Sequence, residues 1–198
     1  MKIGTRQLAT LLTLAFLWTQ ASVVFAGAPL ESVKSAVERV TQVRQEPGAK
    51  NTETRQAIRG ILLPRFDFDE MARRSLGSHW KELDERQKEF VSVFTDFMEN
   101  AYMSALESYK GEKIIYLRER VDQNFAEVDT QIVPAKGEPL AVNYRLRLVE
   151  GDWKVYDVVI ENISLVNNFR SQFNRILASA SFDELLKKLR EKGSEGPI

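Results

Sequence analysis

The chain of 198 residues has no cysteine and a single histidine, His79. The first absence excludes disulfides, thiolate metal sites and a lipid anchor attached through cysteine. The second leaves no histidine cluster for a metal, and a nucleophilic triad would need partners near that one residue, so His79 reads as a surface or packing residue. Glycine is sparse, and Gly77 and Gly111 stand alone at expected helix ends; no glycine-rich run is present to cradle a phosphate. Neither sign of charge prevails, since 28 Lys and Arg face 28 Asp and Glu. Nucleic acid, which calls for a clustered basic excess, is thereby excluded as a partner. A membrane-spanning helix needs roughly 20 apolar residues, and no stretch reaches that length. No cofactor, no metal and no covalent chemistry are expected.

What is present is ordinary globular material, 43% hydrophobic and 28% charged, enough for one domain with a substantial core. The first 26 residues differ. Lys2 and Arg6 precede an apolar run from Leu8 to Trp18, and Val24-Phe25-Ala26 offers small residues at both key positions before a cut. Thr10, Thr13, Thr19 and Gln20 leave the apolar run too short for an anchor, so residues 1–26 read as a cleaved signal peptide. Removing Lys2 and Arg6 leaves 26 basic residues against 28 acidic ones. Export without an anchor points to a soluble protein in the periplasm of a didermal bacterium. Residues 27–193 form the single expected domain, and 194–198 a disordered tail.

Helical periodicity runs through Leu30, Val33, Val37, Val40 and Val43, predicting a helix over 30–45 that stops near Glu46-Pro47-Gly48. A second is predicted over 52–63. The best-punctuated helix covers 66–77, where Asp67 is a natural N-cap, Glu70 its partner three residues on, and Gly77 a stop. Leu83 and Asp84 then repeat the start signal, with Gln87 as the box partner, and open a long helix carrying Phe90, Phe94, Phe97, Met98, Ala101, Tyr102, Ala105 and Tyr109. Strands follow at 113–121, 125–134, 140–149 and 153–160, joined by links short enough for an antiparallel meander. Helices over 165–179 and 183–192 close the chain. This is an α+β pattern: helices packed on one face of a curved, mainly antiparallel, four-stranded sheet.

The stretch from Tyr144 to Leu177 organises the rest. Leu140, Val142, Tyr144, Leu146 and Leu148 alternate with Asn143, Arg145 and Arg147, the period of a half-buried strand. A two-residue turn at Glu150-Gly151 would place Leu148 opposite Trp153, Leu146 opposite Val155 and Tyr144 opposite Asp157. Tyr144, Leu146, Val155, Asp157 and Val159 are thus expected on one sheet face, an apolar one holding a single acid. Ser164 can cap the helix that follows, whose apolar positions are Leu165, Phe169, Phe173, Ile176 and Leu177.

The run WKVYDVVIENISLVNNFRSQF, together with the earlier FDFDEMARRSLGSHWKELDERQKEFVSVFTDFMENAY, resembles the two signatures of the MlaC family in order and spacing. These are periplasmic phospholipid carriers, also called toluene-tolerance auxiliary components, and the resemblance covers nearly all of the chain after residue 26. Asn162 stands where the family pattern has glycine and Phe169 where it has tyrosine; the first change is mild because Asn tolerates a left-handed backbone. The resemblance implies a cone whose sheet and helices wrap a deep hydrophobic cavity. It also implies a shuttle that carries phospholipid between inner and outer membranes and maintains outer-membrane lipid asymmetry. The implied partners are a ring-forming permease complex at the inner membrane, of the ABC-transporter type, and a lipoprotein complex at the outer membrane, served by a monomer.

A lipid cavity and a solid core have the same composition, and the resemblance decides for the cavity. Its expected lining is Met71, Leu76, Trp80, Phe94, Phe97, Met98, Val142, Tyr144, Val155, Val159, Phe169 and Phe173. An unpaired carboxylate at Asp157 would be costly on an apolar face, so Asp157 is expected in a structural pair with Arg170; Tyr144 or a helix N-terminus are alternative partners. Three other readings stay open: a carrier of another lipid such as a hopanoid, a cone-fold enzyme using Asp157 as acid or base, and an adaptor with a solid core.

Overall fold

The computed structural model describes residues 28–45, 51–108 and 112–192. The expected signal peptide, the Glu46-Pro47-Gly48 stop, Tyr109, Gly111 and the tail lie outside them. Helix α1 is Pro29–Gln45 and α2 is Asn51–Leu62, followed by a 3-10 turn at Leu63–Arg65. Helix α3, Phe68–Leu76, begins at Asp67, whose carboxylate accepts the Glu70 N–H at 3.1 Å, and ends at Gly77 with φ of 58°. A non-glycine residue would be strained at that angle, which explains the stop.

Helix α4, Gln87–Ser108, starts later than the sequence suggests, because Gly77–Glu82 and Asp84–Arg86 form 3-10 turns. Gln87, expected to complete a capping box, instead donates to the Trp80 carbonyl at 3.0 Å.

The strands are β1 Lys113–Asp122, β2 Phe125–Val133, β3 Leu140–Val149 and β4 Asp152–Ile160, in the expected antiparallel order. The expected count of four is one short. A two-residue strand β5, Ile163–Ser164, pairs with the end of β4 across a turn at Glu161 and Asn162, whose φ values are 47° and 65°. Asn162 does adopt the left-handed backbone that its side chain tolerates. Helix α5, Leu165–Leu177, follows at once, with Ser164 as its cap (Asn167 N–H to Oγ, 3.1 Å), and α6 is Phe182–Lys192.

The register needs a correction. Leu148 does pair with Trp153 and Leu146 with Val155, across a turn with positive φ at Glu150 and Gly151. Beyond that point a β-bulge intervenes, so that Arg145 pairs with Asp157 and Tyr144 with Val158. The extra residue is Tyr156. Because side chains alternate along a strand, one inserted residue sends everything after it to the opposite face. Val158 and Ile160 therefore share the inner face with Tyr144 and Val142, while Asp157 and Val159 lie on the other face with Arg145.

Two apolar layers result. Helix α1 lies on the inner face of the sheet, where Val33 packs with Val128, Val142, Leu146 and Val155. Its first turn is tied to both sides: the Leu30 N–H donates to Glu119 of β1 at 2.7 Å, and the Ser32 hydroxyl to the Trp153 carbonyl of β4 at 3.2 Å. Helices α3, α4, α5 and α6 gather beside the sheet around Met71, Leu76, Phe90, Phe94, Phe97, Phe169 and Phe173.

Candidate functional site

Between the inner face of the sheet, α1, the end of α2 and the C-terminal half of α4 lies a cavity of about 430 Å³. Its floor is Ile114, Ile132, Val142, Tyr144, Val155 and Ile160 from the sheet. Helix α1 contributes Val33, Ala36, Val37 and Val40, and α4 contributes Met98, Tyr102 and Met103. Leu62, Leu63, Phe66 and Phe68 form the remaining wall. The volume falls within the roughly 300 to 1,000 Å³ of ligand pockets.

Local sequence explains why space remains there. The face that α1 turns to the sheet is made of alanine and valines, too short to fill the gap between helix and strands. Phe66 is held at the edge of β4, where it bridges Val155 in parallel and the Asp67 N–H donates to the Val155 carbonyl at 2.8 Å. The wall is thus pinned to the sheet by backbone as well as by the packing of Phe66. Burial pushes the Tyr102 hydroxyl above its usual range, so it remains protonated at the cavity wall.

Of the twelve residues expected to line a cavity, Met98, Val142, Tyr144 and Val155 do so. Met71, Leu76, Phe94, Phe97, Phe169 and Phe173 are instead fully buried in the helical core. There Phe169 meets Phe94 and Phe97 edge-on, with centroids 5.8 and 5.5 Å apart, and stacks on Phe173 at 5.8 Å. Trp80 packs half-buried against the same cluster. Val159 is buried on the outer side of the sheet, where the bulge sends it. The expectation failed here because the apolar faces of α3, α4 and α5 converge on one another, not on the sheet.

The lining that sequence reasoning missed comes from α1, from the stretch 62–68, from β1 and β2, and from Tyr102, Met103 and Ile160. A usable signal was present. The stripe Val33, Ala36, Val37 and Val40 is apolar but unusually small for a core-facing helix, and it needed only a partner surface to be recognised as a roof.

The Asp157–Arg170 pair does not form. Asp157, 3% exposed, accepts from the Ser164 hydroxyl at 2.7 Å, the Val166 N–H at 3.1 Å and Arg145 at 3.1 Å. It therefore holds the N-terminus of α5 against the sheet, where the helix dipole favours an anion. Arg170 lies further along α5, out of reach of that terminus, and its Nε donates to the Arg74 carbonyl at 2.9 Å while its side chain crosses Gly77. It closes the C-terminal end of α3.

A second polar seam lies nearby. Arg147 of β3 binds the Asp67 carboxylate, and Glu70 takes Arg73 (2.8 and 2.6 Å) and Arg74 (2.6 Å). Burial pushes the Glu70 carboxyl up, but the hydrogen bonds and charges of Arg73 and Arg74 together outweigh it and hold the group below the usual carboxylate range. Among the described residues no cluster of acids or histidine could hold a metal, and no helix is long and apolar enough to cross a membrane.

The model of the family described as MlaC protein matches residues 31–191. The intermembrane phospholipid transport system binding protein MlaC of Haemophilus influenzae is 26% identical over 200 residues, spanning 94% of this chain and 91% of that relative. The solved phospholipid-binding protein of Ralstonia solanacearum, in complex with a phospholipid, shares the fold with a TM-score of 0.75. It covers 85% of this chain and 98% of its own at 24% identity.

Proposed function

The chain belongs to the MlaC family, and from that premise we propose that it is a phospholipid carrier: a periplasmic binding protein that accepts lipid from one membrane system and delivers it to another without covalent chemistry. The observation that carries this reading is the open, almost wholly apolar cavity between α1 and the sheet. Acyl chains would lie against Val33, Val142 and Val155, and the head group would stay toward solvent. The single domain over 27–193, its export by residues 1–26 and its work as a monomer belong to the same proposal. So do a ring-forming permease complex at the inner membrane, a lipoprotein complex at the outer one, and a role in outer-membrane lipid asymmetry.

Energetics say how such a carrier must work. Two acyl chains of about 30 methylenes would gain ~24 kcal/mol on leaving water, at ~0.8 kcal/mol each. That exceeds the ~18 to 21 kcal/mol at which noncovalent affinity saturates. The source is a bilayer already as apolar as the cavity, so transfer is near neutral and docking partners, rather than affinity, set direction.

Asp157 as a catalytic acid or base is disfavoured by its place: it faces away from the cavity, and Ser164, Val166 and Arg145 occupy its oxygens. Lipid extraction from the purified protein, followed by mass spectrometry, tests the proposal. Diacyl phospholipid at near-stoichiometric amounts is expected; a polycyclic lipid would turn the reading to a hopanoid carrier, and folded protein without any lipid would refute it.

A further inference from the structure

Three charged side chains line the cavity among the described residues: Arg59, Glu99 and Arg65. Arg59 and Glu99 neutralise each other at 2.8 Å. Arg65, half-buried at the cavity wall, has no hydrogen-bond, ion-pair or ring partner among the described residues. A half-buried guanidinium at the wall of an apolar cavity, unpaired among the described residues, is free to take an anion that arrives with the ligand.

The backbone around Arg65 is held on both sides. It ends the 3-10 turn Leu63–Arg65, in which Pro64 restricts φ and the Phe66 N–H closes back on the Leu63 carbonyl at 3.3 Å. Directly after it, Phe66 and Asp67 are bonded to Val155 of β4. The constrained turn fixes the point from which the side chain reaches the cavity, and a guanidinium fork fits the oxygens of a phosphate group.

We propose that Arg65 is a specificity-determining residue that binds the phosphodiester of a phospholipid whose chains occupy the cavity, so that the site selects phosphate-bearing lipids over neutral diacyl lipids. This rests on the carrier reading. The Arg59–Glu99 pair, already neutral, leaves the anion to Arg65 alone among the charged lining residues.

The test offers delipidated full-length mature protein mixed micelles with equal amounts of phosphatidylglycerol and diacylglycerol of the same chains. The two lipids recovered with the protein are quantified by mass spectrometry, and thermal melting reports folding. The parent protein should enrich phosphatidylglycerol. Arg65→Gln should lower that enrichment about tenfold, the scale of one charge-assisted contact, with total chains per protein unchanged; Arg65→Lys should restore part of it. An unchanged ratio in Arg65→Gln overturns the assignment. So does an equal loss of both lipids, which would mark a merely structural role. A parent that takes up neither lipid refutes the carrier reading itself, a failure distinct from an unchanged ratio. Inorganic phosphate alone is the remaining arm: if it stabilises the lipid-free parent but not Arg65→Gln, the residue serves free anions and the lipid assignment falls.

Discussion

Phe169 touches Phe94, Phe97 and Phe173 ring to ring, whereas Val155, on the strand that leads into the same helix, looks into open volume. The helical core centres on the phenylalanine rings of α4 and α5, with Met71 and Leu76 of α3 and Leu185, Leu186 and Leu189 of α6 filling in around them. In the α1–sheet region the apolar lining that the helix supplies is only Val33, Ala36, Val37 and Val40, and the helix is tied to β1 and β4 by polar contacts. Collapse therefore goes to completion in one region and is arrested in the other. Hydrophobicity is similar in both; what differs is side-chain reach against the spacing that the backbone imposes.

The largest effect should come from hollowing the filled region. Phe169→Ala should lower unfolding free energy by about 3 to 5 kcal/mol in urea titrations, as phenylalanine deletions in packed cores do. A loss below ~1 kcal/mol would mean that the helical core also holds slack, and the contrast between the regions would collapse. Next comes the polar joint between them. Asp157→Asn should cost about 2 kcal/mol, less than the ~3 to 5 of a fully buried pair because Arg145 reaches solvent, while bound lipid per folded protein stays constant.

A matched pair of insertions sharpens the contrast further. Ala72→Phe, in the closed core, should destabilise by ~1 to 3 kcal/mol through overpacking and leave lipid binding intact. Ala36→Phe, facing the cavity, should cost less than about 1 kcal/mol while displacing most of the bound lipid, because it fills existing space. Equal stability losses at the two positions would refute the claim that only one region is open.

The smallest effect concerns pH at the seam of α3. Glu70 has a folded pKa below its unfolded one, so its contribution is fully present above the unfolded value and is lost as pH falls through the folded one. With Arg73 half-exposed the pair is worth at most about 1 kcal/mol. The stability difference between the parent and Glu70→Gln should be flat near neutral pH and shrink toward acid. A difference that grows in acid would reverse the assigned sign.

Much of the fold was legible before any coordinates. Asp67, Gly77 and Ser164 announce their helix ends because capping is a contact within a few residues, and the alternation in β3 is likewise local. The start of α4 was misplaced because Gln87 reaches back to Trp80 instead of its own N-terminus. Strand β5 was missed because two residues carry no periodic signal. Of the expected lining, Val142, Tyr144 and Val155 of the sheet and Met98 of α4 face the cavity, whereas Val159 and the remaining helical residues pack elsewhere. Phe94 and Val33 are both apolar residues on amphipathic helices, and nothing in either pattern says which one faces a filled space.

What the sequence determined by itself is the order and kind of the elements, the hairpin at Glu150-Gly151 and the caps, all of which depend on neighbours a few residues away. Only the tertiary structure decided the side to which Asp157 turns, the partner Arg170 takes and the region that stays hollow. A single bulge at Tyr156 reverses a face, and the cavity depends on the distance at which α1 is held from strands nearly a hundred residues later. Such distances are set by the simultaneous fit of many side chains, and no local pattern encodes them.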